Sequence, residues 1–128
     1  MKLVIALVLM PTFALAQDID CSDPSSQAEM TQCAADDWAT ADADLNDAYA
    51  EAMDVMQSID TDLDADLAGA EDALRAAQRA WLTYRDTACT SEGFKWRGGS
   101  AEPMVVLSCK ARLTELRSQD LWALAEEY

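Results

Sequence analysis

The sequence predicts an all-α fold, an up-down-up antiparallel bundle of about three long helices stapled by two disulfides. Three observations point there. Long stretches repeat apolar residues at alternating spacings of three and four, the period of a helix face. No stretch shows the strict alternation of a half-buried strand. Four cysteines, Cys21, Cys33, Cys89 and Cys109, make an even set in a chain of 128 residues, a length that suits a single domain.

The first helix is expected from about Gln27 to Ser58. Ser26 followed by Glu29 is a capping-box signature. Trp38, Ala41, Leu45, Ala48, Ala52, Val55 and Ile59 form one apolar stripe, widened by Tyr49, Met53 and Met56. The second is expected from about Asp62 to Thr90, with Leu63, Leu67, Ala70, Leu74, Ala77, Trp81, Tyr84 and Ala88 as its stripe. Asp60 or Thr61 can cap it, Asp62, Asp64 and Asp66 suit its electropositive start, and Gly93 is a natural stop. The third is expected from about Ala101 to Glu126. Ser100 can cap it, Pro103 fits its first turn, and Val106, Cys109, Leu113, Leu116, Ala123 and Leu124 form its core face. Short connections near residues 59–61 and 93–99 favour antiparallel neighbours.

The first sixteen residues read as a secretory signal peptide. Lys2 is the positive start, Leu3 to Met10 is an unbroken apolar run, and Ala14-Leu15-Ala16 offers the small-x-small cleavage pattern. The remaining span, residues 17–128, reads as one domain. The apolar run is too short to span a bilayer stably, so no membrane insertion is expected after cleavage. Asp18-Ile19-Asp20 before Cys21 is unlike a lipoprotein signal. Export into an oxidising compartment, periplasmic or extracellular, makes two disulfides the natural reading of the cysteines. Four cysteines permit three pairings, and proximity in sequence favours Cys21 with Cys33 and Cys89 with Cys109. A zinc site is disfavoured because the chain has no histidine and no C-x-x-C spacing.

Charge is distributed unevenly. Residues 17–128 carry 8 basic against 24 acidic side chains, a net charge of −16, and residues 17–74 hold 17 acids with no Lys or Arg. Long-range repulsion disfavours nucleic acid and anionic membranes and favours cationic partners.

Little in the chain suggests catalysis. No histidine is present to serve as a general base, and bridged cysteines supply no thiol nucleophile. The acids lack neighbours that would set one carboxyl apart from another. The segment Asp60-Thr-Asp62-Leu-Asp64-Ala-Asp66-Leu-Ala-Gly-Ala-Glu71 imitates a calcium loop, with acids at positions 1, 3, 5, 7 and 12. Ala65 stands where the sharp turn requires Gly, and Leu63, Leu67 and Ala70 fit a helix stripe, so Asp60, Asp62, Asp64 and Glu71 read as the acidic start of a helix. No metal and no other cofactor is expected. Asp42, Asn46, Gln78, Arg85, Asp86 and Arg117 sit within the helical pattern, where inter-helix hydrogen bonds and ion pairs would set register. Trp38, Trp81 and Tyr84 lie on the stripes and read as core. Phe94, Trp96, Gly98, Gly99 and Ser100 belong to a connector outside the stripes, a candidate binding loop with an exposed aromatic anchor.

Three blocks carry a family resemblance. The first is Met30-x-x-Cys33 followed by Ala41-Asp42-Ala43-Asp44-Leu45-Asn46-x-x-Tyr49. The second is Ala77-Gln78-Arg79-Ala80-Trp81-Leu82-x-Tyr84-Arg85-Asp86-x-x-Cys89. The third is Gly98-Gly99-Ser100, Pro103-Met104, Cys109 and Leu113-Thr114-x-x-Arg117. Together, over about Cys21 to Leu121, they resemble the lysozyme inhibitor LprI-like N-terminal domain, a family of small exported bacterial proteins. The resemblance implies a helical, disulfide-bonded, non-enzymatic domain outside the cytoplasm, with Asp42, Leu45, Asn46, Tyr49, Gln78, Trp81, Tyr84, Arg85, Asp86 and Arg117 as structural motif positions. The expected function is binding of a cationic lysozyme by an acidic surface. The alternatives are an envelope-stress or structural interaction module, or a weak divalent-cation binder.

Overall fold

A computed structural model describes residues 19–126; the expected signal peptide and its cleavage site lie outside them. Three α-helices follow in order: α1 (Gln27–Asp62), α2 (Ala70–Gly93) and α3 (Glu102–Glu126), with a single 3-10 turn at Phe94–Trp96 between α2 and α3. No strand occurs among the described residues. α1 and α3 run parallel and α2 runs back between them in sequence. Gln27 meets Met104 at one level and Asp44 accepts from the Trp122 indole at another, 3.1 Å away. With 36 residues, α1 is about 54 Å long and overreaches its partners.

Ser26 caps α1 as its signature expects, while Glu29 reaches one residue further back than a capping box requires. The Ser26 hydroxyl accepts the Glu29 N–H at 3.2 Å, and the Glu29 carboxylate reaches back to the Ser25 N–H and hydroxyl. Both disulfides form in the favoured pairing, Cys21–Cys33 and Cys89–Cys109. The first ties the incoming chain onto α1, and the second clips the end of α2 to the second turn of α3.

Small residues set the closeness of α1 to α3. Ala34, Ala41 and Ala48 are buried seven residues apart, as are Leu45 and Ala52. On α3 the buried set is Cys109, Ala111, Thr114, Ser118 and Leu121. These are heptad-like seams, which suit helices crossing at a shallow angle. Leu45, Ala48, Ala52, Leu74 and Leu121 form the central cluster, with Tyr49, Met53, Met56, Trp81, Trp122 and Leu124 packed around it. Leu121 and Leu45 are almost wholly enclosed, each worth about 1.5–3 kcal/mol of apolar burial.

Three expectations are corrected. First, α2 begins at Ala70 rather than near Asp62, and α1 continues to Asp62. The connection is residues 63–69, which contain a tight turn with Leu67 and Ala68 N–H groups donating to the Asp64 carbonyl. Gly69, at φ 143°, adopts a backbone conformation that disfavours other residues, and that ends any helix extended backwards from Leu74. Second, the buried face of α2 is Leu74, Gln78, Arg85 and Cys89, while Tyr84 is 60 % exposed and Ala77 faces solvent. The face is turned by one residue from the apolar stripe because two polar side chains find partners inside. Third, α3 buries Thr114 and Ser118, and leaves Leu116 half exposed and Ala123 at the surface. The Ser118 hydroxyl donates to the Thr114 carbonyl one turn back, so a small polar residue enters the seam without an unsatisfied donor.

Gly93 permits a close α2–α3 approach. A Cβ at this position would lie 2.6 Å from Val106 Cγ2.

Candidate functional site

Two of the polar motif residues, Asp42 and Asp86, converge on a third, Arg85. Its side chain leaves α2 almost fully buried, 7 % exposed. Nε donates to Asp86 at 3.0 Å, and Nη1 lies 3.5 Å from both Asp42 on α1 and Thr114 on α3. The guanidinium also sits between two indoles, 5.3 Å from the Trp38 ring centre and 5.2 Å from Trp81. Lys110 of α3 completes the group, 4.6 Å from the Trp38 centre and 3.3 Å from Asp86. Desolvation acts to raise the Asp86 carboxyl, but the Arg85 and Lys110 cations outweigh it and hold the group below the usual carboxylate range. One turn away, Arg117 donates to Gln78 at 3.0 Å, joining α3 to α2. One side chain thus touches all three helices, through charge-assisted bonds and cation–π contacts.

The other motif positions are dispersed. Leu45 is core, Tyr49 is half-buried against it, and Asn46 is exposed. Trp81 is half-buried beside Arg85, whereas Tyr84 points to solvent and is not a core residue.

Two surface elements stand apart from this interior. The connector after α2 exposes Phe94 and Trp96, at 59 % and 54 %. Gly98, Gly99 and Ser100 beside them are also exposed. Arg97 stacks on Phe94 at 4.9 Å and pairs with Glu102 at 2.7 Å; the same carboxylate accepts the Gly98 N–H. Those two donors, the Gly98 N–H foremost, hold the Glu102 carboxyl below its ordinary value. The second element is the α1–α2 connection. Asp60 accepts the N–H groups of Gly69, Ala70 and Glu71 at 2.7, 2.8 and 3.0 Å. These bonds, led by Gly69, lower its pKa, and they cap α2 from nine residues upstream. Asp60 is therefore committed to backbone donors. Among the described residues no group of three or more His, Cys, Asp and Glu side chains is arranged to hold a metal ion. No described helix is long and apolar enough to cross a membrane.

Comparison with known proteins agrees with this architecture. The family described as "Lysozyme inhibitor LprI" matches residues 20–121. The chain belongs to the LprI family. A relative in Rhizobium meliloti (strain 1021), described only as an uncharacterized protein, is 44 % identical over 119 residues, covering 91 % of this chain and 86 % of its own length. The crystal structure of a DUF1311 family protein from Pseudomonas putida KT2440 superposes with a TM-score of 0.66 at 27 % identity, over 78 % of this chain and 94 % of that one.

Within this LprI chain, sequence reasoning passed over Ser118 and Lys110, and it named Thr114 only within a motif, without placing it in the seam. Thr114 and Ser118 are four apart, with Ala111 and Leu121 completing a three-four-three spacing. A seam scored by position rather than by apolarity finds Thr114 and Ser118, though not Lys110.

Proposed function

We propose that this protein is an exported, non-enzymatic binding protein that engages a cationic lysozyme through its acidic surface. Support comes from membership of the LprI family together with one observation on the chain itself. Residues 19–74 of the described structure carry 16 Asp and Glu and no Lys or Arg, almost all on or beside α1. A long helix of one sign focuses field toward an oppositely charged protein, which speeds encounter and makes it sensitive to salt. Signal-peptide cleavage after Ala16 and a periplasmic or secreted location belong to the same reading. The connector Phe94–Ser100, with its two exposed aromatics, is a candidate apolar contact.

A cell-wall lysis assay with purified mature protein and several lysozymes tests the proposal. Dose-dependent slowing of lysis by at least one basic lysozyme is expected. Full lysis at high molar excess over every lysozyme tried overturns it.

A further inference from the structure

The α1–α2 connection has the chemistry of a docking element. Leu67 is 65 % exposed and Leu63 is 40 % exposed, in a segment that the bundle could have shortened instead of displaying apolar side chains to water. Among the exposed large apolar residues Leu67 is the most exposed, and it sits at the end of the molecule far from both disulfides. The turn that carries it is held in shape. Asp60 accepts three backbone N–H groups at its far side, and the Leu67 and Ala68 N–H groups donate to Asp64 within it. An apolar contact on a prearranged turn loses little conformational freedom on binding.

Charge decides what the turn would meet. Residues 60–75 contain six carboxylates and one base, Arg75, which pairs with Glu71 and Asp72, so the turn keeps a large negative excess. The aromatic connector at the other end is close to neutral, since Lys95 and Arg97 stand among Glu92 and Glu102, so a cationic surface gains nothing there by long-range attraction. We infer that the turn of residues 63–69, with Leu63 and Leu67 as anchors and Asp64 and Asp66 as flanking charges, is the principal docking element for a basic protein surface bearing an apolar cleft. This rests on the reading that the partner is a cationic lysozyme, and it places the main contact at the acidic end rather than at Phe94–Ser100.

The experiment measures association of the full mature protein with a basic animal-type lysozyme at low salt. Three proteins are compared: wild type, Leu63→Ser/Leu67→Ser, and Asp64→Asn/Asp66→Asn. The leucine variant is expected to bind about tenfold or more weakly, as loss of a central apolar anchor does, with helical circular dichroism retained and only a small fall in thermal midpoint, since Leu67 is 65 % and Leu63 40 % exposed. The asparagine variant is expected to associate more slowly, with a shallower dependence on salt. Wild-type affinity in the leucine variant, or an unaltered association rate in the asparagine variant, overturns the inference while leaving the lysozyme reading in place. No binding by wild type overturns both.

Discussion

Replacing Arg85 tests whether the buried cation pins the bundle. In Arg85→Ala the two stem methylenes beyond Cβ are lost, worth about 1.6 kcal/mol at the usual value per buried methylene. The two indole contacts, at 5.3 and 5.2 Å, add about 0.5–1 kcal/mol each, because the Trp38 and Trp81 rings are only half-buried although the guanidinium is enclosed. The ion pairs add little: Asp42 and Asp86 are 44 % and 51 % exposed, so water replaces the guanidinium there. The total is about 3 kcal/mol, a fall in thermal midpoint of about 10 °C or more for a domain of this size. Arg85→Met restores the buried stem and gives up only the charge, so it should cost about 1–2 kcal/mol. Urea unfolding followed by far-ultraviolet circular dichroism and tryptophan fluorescence measures both. Arg85→Ala within about 0.5 kcal/mol of wild type, the range of an ordinary surface substitution, would refute the reasoning. Arg85→Met as damaging as Arg85→Ala would show that charge, not packing, dominates.

Further predictions concern other parts of the fold. Gly93→Ala should destabilise by about 1–3 kcal/mol through overpacking against Val106, and Gly93→Ala/Val106→Ala should recover most of it; equal stability of the single variant and wild type in urea would contradict the close approach. Mild reductant should open Cys21–Cys33 before Cys89–Cys109, because Cys21 is exposed while Cys89 and Cys109 are 0 % and 2 % exposed; mass mapping of alkylated thiols reads the order. On acidification, groups with depressed folded-state values lose stability. Asp60 is held below the carboxylate range by the Gly69, Glu71 and Ala70 N–H groups. Its contribution is therefore complete above the unfolded carboxylate value and disappears as pH falls through the lower folded one. Asp60→Asn should be less stable than wild type near neutral pH and converge with it in acid. Parallel profiles would contradict that assignment.

The sequence made some elements plain and concealed others, for identifiable reasons. α1 was legible because its capping Ser26 and its stripe agree. Ala41, Leu45, Ala48 and Ala52 are all buried as the spacing requires. Proximity along the chain favoured, out of three possible pairings, the one that forms, because each bridge joins cysteines that meet at one end of the bundle. The start of α2 was misplaced because Leu63 and Leu67 happen to extend the three-four period into a turn. The contrary signal was Gly69, read alongside an Asp at position 60 able to cap from a distance. The faces of α2 and α3 were misphased because their seams contain Gln78, Arg85, Thr114 and Ser118, which an apolar scan omits. The gathering of Trp38, Asp42, Trp81 and Arg85 was only half visible: their presence on helices was clear, their meeting point depended on register. The exposure of Tyr84 follows from the same one-residue rotation.

The acidic surface of α1 is the basis of the functional account, and the salt dependence of lysozyme association tests it most directly. Calorimetry of the mature protein against a basic lysozyme should show binding at low ionic strength that weakens steeply as salt is added, over the range where the screening length shrinks from about 30 to 10 Å. Affinity indifferent to salt, or no heat of binding at low ionic strength with any lysozyme, would contradict it.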